Sequence, residues 1–370
     1  ALLNATEIDQ NTAIGFETLK AASGSAGALR GTALGFRALV SNTSGYANTA
    51  VGAQAGLVLT TGGHNTLLGM NAGDALNTAS GSVYIGSGAG LSNTTGNQNI
   101  AIGFDAMGGP TTTGDNNIAI GASAGDALTS GYHNIFMGLD SGGAVSSGLL
   151  NIGIGRNTLK ATTTGNGIVA VGHDAISVGD PDSDTAAFGN GALKNAAAGS
   201  LRNTAVGHQA GGDHTTGDDT VYVGTNAGMQ NRSGNNNTYV GSQAGEGVDN
   251  NSNSENVSVG MQSLHVITTG GANTALGTYA GIAVTTASGS IIIGSDSGKT
   301  ITTGNQNIAV GVGAMSSGTV TGDRNISIGV LAAQTLTSGT KNMAMGYDAL
   351  GDMTVGTNNI AFGYESMNAL

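Results

Sequence analysis

The side chains here that could bind a metal or move a proton are few. There are six histidines (His64, His133, His173, His208, His214 and His265), 23 acidic residues and no cysteine. Without cysteine there is no disulfide and no thiolate metal site. His208 and His214, with Asp213 and Asp218, come nearest to an imidazole–carboxylate ligand set, and are read as solvated turn residues. Asp180, Asp182 and Asp184 alternate like the opening of a calcium loop, but the glycine at the sixth place and the closing glutamate are missing. Glycoside cleavage needs two carboxylates facing across a groove. The acids Glu17, Asp105, Asp140, Asp174, Asp296, Asp348 and Glu365 recur too intermittently for that and read as a solvated charge row. No Ser-His-Asp spacing and no phosphate loop stands out, and the many Gly-x-Gly triplets are products of a repeat. The sequence therefore assigns no catalytic residue, no cofactor and no metal site, and the expectation is a protein that is not an enzyme.

The element that carries these residues is a short phrase, Asn-Thr-Ala-Ile-Gly in its first full copy, Asn11 to Gly15. Its closing glycine recurs at 15, 35, 52, 69, 86, 103, 121, 138, 155, 172, 189, 207, 224, 241, 260, 277, 294, 311, 329, 346 and 363. Fifteen of the 20 intervals are 17 residues long. A period this steady means one small unit stacked on itself.

With the anchor glycine as position 0, position −1 is apolar in every copy (Ile14, Ile120, Phe362) and position −3 is mostly β-branched (Thr49, Ile118, Ile308). Two residues apart in a strand share a face, and positions −3 and −1 are expected to line the interior. Position −2 is alanine in over half the copies (Ala50, Ala101, Ala119), with occasional Tyr84, Phe136, Tyr222 and Tyr239. It is expected to face outward and, being small, to meet a second copy of the chain. Position +3 is always small and position +4 is glycine or Leu/Met/Ile-like (Leu39, Gly56, Met107, Leu350), which reads as a second inward segment. Position −7 is glycine in fourteen copies and suits a tight turn. Position −4 is asparagine in fifteen, placed inside the turn as a ladder bonding coil to coil.

Glycine recurs at least twice per unit, at about 1 kcal/mol each in a helix, and the pattern alternates with period two. Helical repeats are thereby excluded. The reading is all-β: a parallel β-solenoid (β-roll) of about 21 coils, ~17 residues per coil, with two short strands and two turns in each. Residues 1–370 read as a single repeat domain, a continuous rod of roughly 100 Å at the ~4.8 Å strand spacing. Extra residues are expected to bulge from turns: around Gly24–Gly27, in the run Asp249–Ser254, and singly before Gly121, Gly207 and Gly329. Pro110 and Pro181 are placed in such turns.

Composition agrees. Of 370 residues, 66 are glycine, aromatics make up 4% and tryptophan is absent, which suits a thin core. The net charge of −12 comes without a basic run, so no nucleic acid is expected as partner. No apolar stretch reaches 18 residues, so no membrane insertion is expected.

The phrase Asn-Thr-Ala-Ile/Val-Gly, as in Asn11–Gly15, Asn48–Gly52, Asn203–Gly207 and Asn307–Gly311, with small residues three places on and a Thr-Gly turn, resembles the head repeats of trimeric autotransporter adhesins. It is also similar to repeats of phage tail-fibre-type proteins. The resemblance covers essentially the whole chain. It implies a left-handed roll, a homotrimer, extracellular, cell-surface or virion localisation, and adhesion to a host-surface glycan or matrix protein. The expected function is a non-enzymatic fibre or adhesin segment. A phage tail-fibre shaft and a self-stacking filament subunit are the alternatives, the last because both chain ends leave solenoid edges uncovered.

Overall fold

The computed structural model describes residues 10–22, 30–248 and 251–368. It is an all-β parallel β-solenoid of about 17 residues per turn, without a helix among the described residues. Two compact units divide it, residues 1–184 and 185–370. The first holds ten strands, β1 (Thr12–Ile14) to β10 (Val169–Val171), and the second eleven, β11 (Ala186–Phe188) to β21 (Ile360–Phe362). Within each unit, successive strands pair in parallel with like positions opposite, for example Ala101↔Ala119 and Ala205↔Tyr222. The expected loop at Gly24–Gly27 lies outside the described residues, as do Asp249 and Asn250. Pro110 and Pro181 lie outside strands, as expected.

Each coil has one three-residue strand, not two. The second inward segment, positions +3 and +4, is hydrogen-bonded between coils but is not extended. Positions +2 and +4 both take left-handed backbone, as at Asp105 (φ 50) and Met107 (φ 50). A non-glycine residue there costs about 1–2 kcal/mol. Inter-coil bonds offset it: Asp105 N–H donates back to Ser87 O (3.0 Å) and Met107 N–H donates forward to Ala124 O (2.9 Å).

The strand faces are the reverse of the expectation. Position −2 is the inward one: Ala101, Ala119, Tyr84 and Phe136 are fully buried. Positions −3 and −1 flank it on the outside, half-buried to exposed, as in Ile118–Ile120 and Thr66–Leu68. The reason is space. Positions +3 and +4 already fill the interior (Ala38, Leu39, Ala106 and Met107 are all buried), and a strand packing against them has room for alanine rather than for two aliphatic rows.

Core volume is shared between −2 and +4. Where −2 is large, position +4 is glycine in the same and the preceding coil. Gly73 and Gly90 flank Tyr84, Gly125 and Gly142 flank Phe136, and Gly228 and Gly245 flank Tyr239. Where −2 is alanine in consecutive coils, +4 fills the space, as Leu39 does beside Ala33 and Ala50. Interiors tolerate neither voids nor overlap.

The asparagine ladder is present as expected. Asn65 N–H donates to Asn48 Oδ1 (3.0 Å), and Asn48 Nδ2 donates to Gly62 O in the next coil (2.8 Å). The same bonds recur through Asn117, Asn134 and Asn151 in the first unit, and through Asn325 and Asn342 in the second. Each side chain satisfies buried backbone groups above and below it. The anchor glycines sit near φ +135, open to glycine alone, and a Cβ on Gly103 would lie 2.6 Å from Gly121 O.

Candidate functional site: an outward aliphatic face

With −2 turned inward, alternation forces −3 and −1 outward. The result in each unit is an outward sheet face made mostly of isoleucine, valine, leucine and threonine. Ile14 is 58% exposed, Leu68 44%, and Ile360 and Phe362 70% and 79%. At no coil does position −3 or −1 carry a charge. Position +1 widens the face in some coils, where Phe16 stacks on Phe36 (5.8 Å between centroids) and Tyr347 on Tyr364 (5.1 Å). Elsewhere +1 is polar, as at Arg156, Asn190 and Ser242. Soluble sheet faces normally alternate apolar-in with polar-out. This one is apolar on the outside and mostly alanine within.

The acids and histidines singled out from the sequence do not converge. Among the described residues no group of three His, Asp or Glu side chains is placed to hold a metal. Asp180 instead caps the neighbouring turn, accepting Thr163 N–H (2.9 Å) and the Thr163 hydroxyl. His208 is exposed, whereas His214 turns into the core, so the two are not partners. His214 is also not a solvated turn residue. Its Nε2 lies 2.8 Å from Gly217 O and its Nδ1 lies 3.2 Å from Asn231 O and 3.3 Å from the Tyr222 hydroxyl. Burial lowers its pKa. The buried tyrosines each find a polar cap of this kind: Tyr84 with Asn93 and Tyr239 with Asn253. Burial pushes the Tyr84 hydroxyl up to about 12.

Several acids of the +2 row are held in local ion pairs. Glu17 bonds Lys20 (2.7 Å), which with Arg37 holds its carboxyl low; Asp140 meets Lys160 (3.4 Å) and Asp296 meets Lys299 (2.9 Å). Asp126 at +5 is raised by burial and by the nearby Asp105 and Asp140.

No protein-family model matches the chain, and no curated protein matches it. Among the described residues no helix is long and apolar enough to cross a membrane.

The aliphatic face is the feature that sequence reasoning placed wrongly. The signal for it was the size exchange between −2 and +4, since residues that trade volume with each other share a core.

Proposed function

We propose that this chain is a non-enzymatic fibre or adhesin segment, extracellular and carried on a cell surface or virion, whose solenoid units assemble with other copies through the −3/−1 face. The uncharged aliphatic face carries this reading. Eleven strands about 4.8 Å apart and three residues wide give on the order of 400 Å² in projection, already the scale at which exposed apolar patches mark contacts. An uncharged row of Ile, Val, Leu and Thr complements a second copy of itself without burying a charge, which suits a symmetric homo-oligomer. The contact between copies is thus placed on the neighbours of the alanines, not on the alanines themselves, which are buried. A trimer and a left-handed winding are the arrangement that the repeat phrase suggests. The acidic surface and the inter-coil bonding within each unit suit a surface-display element.

The test is the mass of the intact chain in solution, by sedimentation equilibrium at several concentrations. The reading expects an integral multiple of 36.0 kDa, with a trimer the multiple proposed. A strictly monomeric chain up to high concentration would sink it.

A further inference from the structure

A shallow recess of about 450 Å³ lies on the turn preceding the strands of the first unit, lined by His64, Ser80, Gly81, Asn97, Gln98 and Asp115. These are positions −6 and −5 of successive coils. Gly81, without a side chain, leaves its floor open. An aromatic side chain closes each end of the row: Tyr46, edge-on to His64 at 4.5 Å, and Tyr132, edge-on to His133 at 5.2 Å. Both tyrosines are exposed, 52% and 42%, and the Tyr46 ring lies over Gly63. Five coils separate the two rings, about 24 Å at the strand spacing.

The backbone of this row is already spoken for. Ser80 N–H donates to Asn97 Oδ1 (2.9 Å), Asn97 N–H to Asp115 Oδ1 (2.5 Å), Gly81 N–H to Gly63 O (3.0 Å) and Gln98 N–H to Ser80 O (2.9 Å). An extended peptide therefore finds no free strand edge here. What faces solvent is the His64 imidazole, two side-chain amides, a hydroxyl and one carboxylate, without a Lys or Arg, in a row that ends in an aromatic ring on either side.

The second unit supplies an internal contrast. Twelve coils on, the same row returns as Gly271, Ser288-Gly289, Asn305-Gln306 and Asp323. Its ladder is the same too: Gly271 N–H to Ser288 Oγ (3.0 Å), Ser288 N–H to Asn305 Oδ1 (2.9 Å) and Asn305 N–H to Asp323 Oδ1 (2.6 Å). There, however, Ser254 and Thr340 stand where Tyr46 and Tyr132 stand, and Arg324 Nε ties up the Gln306 side chain (2.9 Å). The ladder alone is thus a structural device. The aromatic ends and the open glutamine belong to the first unit only.

We propose that this row of the first unit is a binding site for a neutral oligosaccharide laid along the coil stack. The C–H faces of pyranose rings would pack on Tyr46 and Tyr132, whose ring faces carry negative quadrupole charge. The hydroxyls would exchange hydrogen bonds with the Gln98 amide, which both donates and accepts, and would donate to the free carboxylate oxygen of Asp115. The length of the row selects an oligosaccharide over a single sugar. The proposal rests on the attachment reading for its purpose, but fails separately from it: the mass measurement tests assembly, and the following tests the site.

The intact chain is applied to an array of neutral, N-acetylated and anionic glycans, and the best neutral oligosaccharide is then titrated. Binding is expected to weaken at least tenfold in Tyr46→Ala and in Tyr132→Ala, and in Gly81→Asn, which fills the floor. It should be unchanged in Thr340→Ala on the second unit. All four positions lie on the surface, and unchanged circular dichroism confirms that the variants fold. Two results would overturn the proposal: no neutral oligosaccharide bound, or binding indifferent to both tyrosines. Binding of anionic glycans alone, lost in Arg324→Ala, would overturn it as well by placing the ligand on the second unit.

Discussion

The Tyr84 ring occupies the space that Gly90 leaves open. A Cβ on Gly90 would lie 2.5 Å from Cδ2 and Cε2 of that ring, and Gly73 faces it from the preceding coil. Tyr84→Ala should therefore cost about 3–5 kcal/mol, since two glycines cannot close the cavity. Gly90→Leu alone overpacks the core. Combined with Tyr84→Ala it should be much less harmful, with a coupling of about 1–3 kcal/mol in a double-mutant cycle read from urea unfolding. Strict additivity would contradict the shared-volume account.

The anchor glycine is a second sensitive point. Gly103→Ala places a methyl group against Gly121 O at a backbone angle of φ +135. A loss of about 3 kcal/mol or more is expected from strain and overlap together. Thermal melting checks it, and a shift of only a degree or two would mean that the coils can slide apart to admit the methyl.

The asparagine ladder gives a third prediction. Asn117 donates to Gly131 O (2.9 Å) and accepts from Asn134 N–H (3.0 Å). Asn117→Ala leaves both buried backbone groups unpaired, at about 1–3 kcal/mol each. Hydrogen exchange should accelerate in the coils around residues 117 and 134 and stay slow in the second unit.

Much of this was legible in the sequence. The period gave the coil, asparagine at −4 gave the ladder, and glycine at 0 and −7 marked the turns. The faces were not legible from strand alternation, because a period of two defines two faces without saying which is inside. Apolarity pointed to Ile118 and Ile120, and the structure buries Ala119 instead. Asn117 and Ala119 lie two apart, so a buried −4 already implied a buried −2. The left-handed backbone at +2 and +4 did leave a signature, glycine at +4 in ten coils (Gly56, Gly90) and Gly, Asn or Asp at +2 in eleven (Asn71, Asp105), but it was masked at +4 by residues such as Met107, where inter-coil bonds rather than glycine sustain it. His214 looked like a turn residue because nothing local shows that Tyr222, eight residues on, caps it from within.

His214 makes stability depend on pH. Burial lowers its folded pKa below the unfolded value of about 6.5. Above that value both states are neutral. As pH falls from about 6.5 toward the folded pKa, the unfolded state takes up the proton first, and stability declines. His214→Asn places there the residue found in the next coil as Asn231, and should flatten the melting temperature between pH 7 and pH 5.5 relative to the parent. An equal decline in both proteins would assign the effect to other groups.

Which side of the strand faces the core sets which residues are left on the outside, and two adjacent substitutions decide it. Ala119 is fully buried, and Ile120 beside it is half-buried on the outward face. Circular dichroism melts and sedimentation of Ala119→Lys and Ile120→Lys should be compared with the parent. Ala119→Lys is expected to unfold the surrounding coils, because it forces an unpaired charge into a thin core. Ile120→Lys is expected to melt within a few degrees of the parent while lowering the mass of any assembly. The opposite outcome, Ala119→Lys stable and Ile120→Lys unfolded, would contradict the inward alanine row and remove the aliphatic face on which the proposed function rests.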